Sequence, residues 1–148
     1  MWPLPNNKKI TSHFGKRKSP TKGSSSNHSG IDIAAPEGTP FISAITGTIT
    51  FTGFKGAGGY TITIQNSNYE ISYCHTSANY LYKTGDIVLK GDILGHVGPK
   101  YITPISNNKY TDSSGRQTNG ATTGCHLHFS IKKDGTFVNP LDYIDLQK

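Results

Sequence analysis

Two histidines near the C-terminal end of the chain have the spacing of residues that share one face of a β-strand. His126 and His128 lie within residues 124–131, where polar and apolar side chains alternate. Because successive side chains of a strand point to opposite faces, the two imidazoles point to one side and Leu127 and Phe129 to the other. We predict a strand that packs its apolar row against the core and lines a polar cleft with the imidazole pair.

A metal site at this pair needs further ligands, and an earlier segment offers candidates. If His128 binds a metal, His28 and Asp32 are the best partners, since they supply one nitrogen and one oxygen from a loop that enters a strand. Two neutral imidazoles and one carboxylate leave Zn²⁺ with a net charge of about +1, which lowers the pKa of a bound water to about 7. The residues alone leave an alternative open, because an isolated His-x-His pair also occurs on surface or core strands.

Two further imidazoles are predicted to lie beside such a metal without binding it. His126 is two residues from a candidate ligand on the same strand face, and His75 ends another predicted strand, with Tyr73 on its own face. Imidazoles there could take a proton from the attacking water, stabilise the oxyanion and protonate the leaving amine. His13 and His96 have no partner in the sequence, and we expect them to be structural, with His13 at the edge of the cleft.

The composition predicts one domain built of short strands. Of 148 residues, 33% are hydrophobic and 17 are glycine, which favours turns over long helices. Period-two patterning over residues 41–75 predicts antiparallel hairpins. We expect a mostly β fold, antiparallel β-sheets with a groove and little helix, in a single domain over residues 1–148. An extended lead-in covers residues 1–9, and polar loops cover residues 16–27 and 99–123, the second beside the cleft.

Charge and hydropathy narrow the classes of partner. The net charge is +6 and the pI about 9.3, but the lysines are scattered and no basic stripe interleaved with aromatic residues appears, so we expect no nucleic acid. A solvated basic surface is one interpretation, and attraction to an anionic polymer is the other. The sequence contains no apolar run of about 18 residues for a membrane span, and its start lacks the features of a signal peptide. We expect a monomeric domain excised from, or exported by, a larger parent protein.

Cys74 and Cys125 directly precede His75 and His126. Two cysteines are too few for a disulfide framework or a cysteine-based zinc site. Because neighbours on a strand face opposite ways, we expect both thiols to point away from the cleft. We predict two buried free thiols, since a bridge between them requires their strands to lie close together.

Seven short motifs follow one another along the chain. They are ITSHFGKR (10–17), HSGID (28–32), GGY (58–60), YCH (73–75), GD (85–86), GDILG (91–95) and TGCHLHF (123–129). In this order they resemble the M23 metallopeptidases, also called LytM or lysostaphin-type peptidoglycan endopeptidases. The resemblance covers about residues 2–144, and the joint motif is highly specific.

The resemblance implies an antiparallel β fold with a groove, the LytM-like duplicated hybrid motif fold, and one Zn²⁺ bound by His28, Asp32 and His128. It also implies that His75 and His126 are the catalytic histidines of a metalloendopeptidase. Members hydrolyse peptide bonds in the stem or cross-bridge of bacterial cell-wall peptidoglycan. This predicts peptidoglycan as the partner and an extracellular or cell-wall location, as an autolysin, in a conjugation system or in a phage tail.

Two other functions are compatible with the resemblance. Some LytM-like domains have lost ligands and serve as activators or assembly proteins, but the retention of all five site residues favours an enzyme. A zinc peptidase that acts on proteins or free peptides would use the same residues, so only its substrates distinguish it.

The chain departs from the family pattern in three places. Cys125 stands where the family usually has proline or another small residue. Residues 100–122 form a longer loop than most members have, and we expect it to wall one end of the groove. Members that cut glycine bridges carry a tyrosine shortly before the first metal histidine, whereas residues 22–27 contain none. This argues against a glycyl-glycine specialist.

Overall fold

The molecule is built from short antiparallel strands. The computed structural model describes residues 1–16 and 27–144. Its strands are β1 (Ile10–Ser12), β2 (Gly15–Lys16), β3 (Asn27–His28), β4 (Ile31–Ala34), β5 (Pro40–Ile42), β6 (Gly47–Phe54), β7 (Tyr60–Asn66), β8 (Tyr69–Cys74), β9 (Ile87–Val88), β10 (Ile93–His96), β11 (His126–Lys133) and β12 (Thr136–Val138). Helical structure in these residues is limited to two 3₁₀ turns, Gly56–Gly58 and Pro140–Asp142, and none of it is long and apolar enough to cross a membrane. The prediction of a mostly β fold is confirmed.

One large sheet carries most of the structure. Its strands run in the order β1, β4, β11, β8, β7, β6 and β9, and β12 pairs with the C-terminal part of β11. All of these pairs are antiparallel. Strands β6, β7 and β8 are consecutive hairpins, as the patterning over residues 41–75 predicts. Two smaller sheets pair β5 with β10 and β2 with β3.

The two faces of β11 separate as its alternation predicts. Leu127, Phe129 and Ile131 are at most 1% exposed and belong to the hydrophobic core. Tyr73 of β8 packs edge-on against Phe129 with ring centroids 5.2 Å apart, and its hydroxyl accepts a hydrogen bond from the Ala44 amide. Each such buried side chain contributes about 1.5–3 kcal/mol. A register slip would forfeit that burial, so the apolar face fixes the direction in which the imidazoles point.

The end of β8 corrects two predictions. Cys74 pairs with His128 across the sheet, so their side chains share the groove face. His75 has a φ of +60°, a left-handed conformation that interrupts the alternation and lets its ring line the same groove. The prediction that the Cys74 thiol points away from the cleft is therefore wrong. Tyr73, predicted to share a face with His75, lies in the core instead.

Both cysteines are free, as predicted, but only Cys74 is buried. Cys125 lies just before the first residue of β11, where strand pairing does not yet fix side-chain direction. It is exposed and contributes to the wall of the groove. The prediction of a buried thiol that faces away from the cleft is wrong for Cys125.

The predicted loops differ in how far the structure describes them. In the predicted loop at residues 16–27, residues 17–26 lie outside the described part of the chain, and its ends pair as β2 and β3. The loop at residues 99–123 contains only isolated β-bridges, one of them between Tyr101 and Thr118. Its last three residues line the groove.

Candidate metal centre and active-site groove

A groove of about 920 Å³ runs over strands β4, β8 and β11 on the face of the large sheet opposite the core. The 3₁₀ turn after β6, strand β1 and the end of the loop at residues 99–123 form its walls. Five residues predicted to form the site line it together: His28, Asp32, His75, His126 and His128. The fold thus joins side chains that lie up to 100 positions apart in the sequence.

Three potential ligand atoms form a small triangle. His28 Nε2 lies 3.0 Å from His128 Nδ1 and 3.2 Å from Asp32 Oδ1, and the last two atoms are 2.9 Å apart. Tetrahedral ligands at about 2.1 Å from a zinc ion lie about 3.4 Å from one another. The three atoms therefore need only small outward movements to share one ion. Two imidazole nitrogens and one carboxylate oxygen also leave a fourth position open, so the residues fit a catalytic metal site of this kind.

Strand pairing explains why these ligands meet. Asp32 on β4 lies directly opposite His128 on β11. His28 reaches the same point from β3, which ends three residues before β4 begins. Gly30, between His28 and Asp32, allows this segment to approach β11 closely, because a Cβ on Gly30 would lie 2.3 Å from the carbonyl oxygen of Phe129. Packing of the two strands therefore sets the size of the triangle.

A backbone carbonyl sets the tautomer of His28. Its Nδ1 lies 3.0 Å from the carbonyl oxygen of His13 and 3.3 Å from the Ser12 hydroxyl. A carbonyl oxygen only accepts, so Nδ1 carries the proton and Nε2 keeps its lone pair for the triangle. His13 does line the groove edge, as expected, and the group that contacts His28 is its backbone, not its imidazole.

Electrostatics prepare the triangle to receive a cation. Burial by itself raises the pKa of the Asp32 carboxyl, but contacts with His128 and His28 outweigh burial and hold that pKa well below its ordinary range. The carboxyl is therefore ionised at neutral pH. Burial also lowers the pKa of His128, which keeps this imidazole neutral and able to donate a lone pair.

The two remaining imidazoles share one tautomer. His75 Nδ1 lies 2.6 Å from the carbonyl oxygen of Asn119, and His126 Nδ1 lies 3.1 Å from that of Gly124. Each Nδ1 therefore donates its proton to a carbonyl, so in the neutral ring the lone pair is on Nε2. The ring centroids are 4.7 Å apart, and His126 Nε2 lies 3.6 Å from Asp32 Oδ1. Two proton acceptors thus stand beside the donor triangle.

Burial lowers the pKa of His75 to about 3, and the nearby His126 and His128 act in the same direction. His75 is 6% exposed, and its ring is neutral at physiological pH. It is thus available as an acceptor of a proton.

Sequence reasoning missed the groups that orient these imidazoles. Asn119 was not distinguished from the other polar residues of its loop, although it is fully buried there. The available signal is its position a few residues before the predicted histidine strand, in a loop expected to border the cleft. His96, predicted to be structural, lies on β10 and is not among the residues that line the groove.

An antiparallel sheet with an open groove and this donor set is the arrangement of a metallopeptidase. The chain belongs to peptidase family M23, which matches residues 26–140. It is 35% identical over 134 residues to the DD-carboxypeptidase/endopeptidase Mpg of Neisseria meningitidis, covering 90% of this chain and 26% of that protein. It is 29% identical over 135 residues to the peptidoglycan DD-endopeptidase ShyC of Vibrio cholerae, covering 90% and 27%.

A solved structure has the same fold. A zinc-containing peptidase from Vibrio cholerae superimposes with a TM-score of 0.72 at 28% identity, over 99% of this chain and 38% of that one. The resemblance inferred from the seven motifs is confirmed at the level of family and fold. The chain spans about a quarter of the length of the two curated relatives.

Proposed function

We propose that this chain is a zinc-dependent endopeptidase domain that hydrolyses peptide bonds in the stem or cross-bridge of bacterial peptidoglycan. In this proposal His28, Asp32 and His128 hold one Zn²⁺, and His75 and His126 are the catalytic histidines. One observation carries it: a triangle of three donor atoms lies in a single open groove with two imidazoles whose Nδ1 atoms are held by carbonyl oxygens.

The two catalytic histidines perform the proton transfers. When bound, zinc supplies Lewis acidity and lowers the pKa of a water molecule. His75 and His126 keep their protons on Nδ1, so either Nε2 accepts the proton that the attacking water loses. A protonated imidazole then stabilises the carbonyl oxygen as it gains negative charge, or delivers its proton to the leaving amine. The short distance between the rings lets both act on one scissile bond.

Charge, groove shape and relatives together support peptidoglycan as the substrate class. The net charge of +6 attracts an anionic polymer. The groove lies along an open sheet face, which suits an extended peptide. Mpg and ShyC are both named as endopeptidases, and ShyC as one that acts on peptidoglycan. The place of action that follows is the cell wall or the periplasm, and we propose a monomeric domain.

Two substitutions separate the metal ligand from the catalytic histidine. His128→Ala removes one of three donors, so it should lose both zinc and hydrolysis. His126→Ala should keep zinc and lose hydrolysis, because its Nδ1 is held by a carbonyl and its Nε2 lies outside the triangle. Zinc per chain is measured by elemental mass spectrometry, and hydrolysis by mass analysis of fragments released from purified peptidoglycan. His96→Ala, on β10, is the matched control and should keep both.

Three results would point elsewhere. Full hydrolysis by a folded His128→Ala or His126→Ala variant contradicts the site assignment. One zinc per chain without hydrolysis of any of several wall types indicates a binding module. Cleavage of free peptides or proteins, with peptidoglycan left intact, indicates a general peptidase.

A further inference from the structure

We propose that Asn119 is a positioning residue for His75. Its side chain fixes the backbone carbonyl that receives the Nδ1 proton of His75, and so determines which nitrogen of that ring is available for proton transfer. The inference rests on the catalytic role of His75 proposed above, and it assigns a function to the loop at residues 99–123.

The side chain of Asn119 is fully buried and fully bonded. Its Oδ1 accepts a hydrogen bond from the Tyr60 amide at 2.8 Å. Its Nδ2 donates to the carbonyl oxygens of Thr76 at 3.0 Å and Pro99 at 3.3 Å. Its backbone amide donates to the carbonyl oxygen of Lys100 at 2.8 Å. Two of these four bonds join the loop to the start of β7 and to the residue that follows His75, and the other two stay within the loop.

The remaining backbone group of Asn119, its carbonyl oxygen, receives the Nδ1 proton of His75 at 2.6 Å. The backbone of His75 is fixed separately, because its amide donates to Gly58 and its carbonyl accepts from Gly98. The hydrogen bond to Asn119 therefore adds a restraint on the imidazole itself. With Nδ1 protonated in this way, Nε2 is the only ring nitrogen that can accept a proton.

Two glycines leave the space that Asn119 occupies, and a third allows the next residue of the loop to pack on the turn after β6. A Cβ on Gly59 would lie 2.3 Å from the carbonyl oxygen of Asn119, and one on Gly98 would lie 2.7 Å from its Nδ2. A Cβ on Gly120 would lie 2.4 Å from the carbonyl oxygen of Ala57, in the turn that borders the groove. Backbone segments can approach this closely only where no side chain intervenes. Close packing of the neighbouring backbone segments thus fixes the position of the Asn119 carbonyl.

Gln117 provides a matched control in the same loop. Its side-chain amide makes two hydrogen bonds to the backbone, against three for Asn119: Oε1 accepts from the Ile105 amide at 2.9 Å, and Nε2 donates to the Ile105 carbonyl oxygen at 3.0 Å. Both bonds stay within the loop, and Gln117 does not line the groove. Gln117→Ala therefore weakens the loop by a comparable number of bonds without altering the environment of His75.

The test combines kinetics with NMR of the zinc-loaded protein. Asn119→Ala should lower kcat by about tenfold to 100-fold, because a small misplacement of a catalytic group has costs of this order. KM and zinc content should stay near the wild-type values. The Nδ1 proton signal of His75, observed with ¹⁵N-labelled histidine, should weaken or disappear. Gln117→Ala should leave both kcat and that signal unchanged.

The wild-type protein offers a measurement that needs no folded variant. Its ¹⁵N shifts should show His75 as the Nδ1–H tautomer, and an Nε2–H tautomer would overturn the inference. Unchanged kcat and an unchanged His75 signal in Asn119→Ala would overturn it as well. Full activity in a folded His75→Ala variant has a different meaning, because it refutes the proposed catalytic role itself.

Discussion

Gly30 gives a test of how the fold holds the proposed metal ligands. It lies between His28 and Asp32, and a Cβ built on it would approach the Phe129 carbonyl oxygen to 2.3 Å, whereas real Cβ contacts stay beyond 3.0 Å. Gly30→Ala must therefore move β4 away from β11 by at least about 0.7 Å. Gly30 does not have a positive φ, so Gly30→Ala adds no backbone strain. Its effect comes from the contact between the new Cβ and the Phe129 carbonyl oxygen.

The displacement has two measurable consequences. Overpacking of this kind costs about 1–3 kcal/mol, which corresponds to a fall in Tm of about 3–10 °C in a chain of this size. The same movement shifts Asp32 relative to His128, and it exceeds the tolerance of about 0.2 Å on metal–ligand distances. Zinc affinity should therefore fall at least about tenfold.

The assay is thermal unfolding with and without zinc, together with zinc titration against a chromophoric chelator. Gly124→Ala is the control, since a Cβ there meets no heavy atom within 4 Å although the residue lies close to His126. It should change neither Tm nor zinc affinity appreciably. Wild-type zinc affinity and Tm in Gly30→Ala would refute the claim that close packing of β4 on β11 sets the ligand triangle.

Two further predictions concern protonation and thiol reactivity. Burial lowers the pKa of His75 from 6.5 to about 3, so at His75 the unfolded chain binds more protons than the folded one between these values; burial lowers the pKa of His128 as well. The metal-free protein should therefore lose up to about 1.4 kcal/mol of stability through His75 for each unit that pH falls from 6.5 towards 3, and His128 should act in the same direction. Denaturant melts at pH 7, 5.5 and 4.5 check this, and His75→Gln should flatten the profile. Burial raises the pKa of the Cys74 thiol to about 11, whereas Cys125 is exposed. A disulfide reagent should therefore label Cys125 rapidly in the native protein and Cys74 only after unfolding. Cys125→Ser should abolish the fast labelling, and fast labelling of both thiols would contradict this prediction. A stability that does not change with pH would contradict the first prediction.

Strand alternation is the part of this structure that sequence predicts best. On β11 the pattern around His126 and His128 places the apolar neighbours in the core because burial of a whole row depends on one register. The seven motifs add the partners of these histidines, since local patterns alone do not show that β4 pairs with β11. The family and the mostly β fold follow from both kinds of information together.

The errors arise where a strand ends. His75 is a non-glycine residue with a positive φ, a conformation that no spacing rule indicates. The alternation that assigns Tyr73 to the groove and Cys74 to the opposite face is therefore carried one residue too far. Asn119 is missed for a related reason, because its role depends on hydrogen bonds to two other segments, at Tyr60 and at His75 and Thr76, and not on any periodicity.

The pairing of β4 with β11 also affects when the site can exist. His28 and His128 are a hundred residues apart, and the strand that carries His126 and His128 is among the last elements of the described chain. During synthesis from the N-terminus, a nascent chain holds only two of the three donors until β11 has emerged and paired. In the proposed site, metal binding closes a long loop in the folded state alone, so the ion would act as a late crosslink between two adjacent strands that lie far apart in the sequence. A partly made or truncated chain accordingly has neither a complete donor set nor its second proton acceptor.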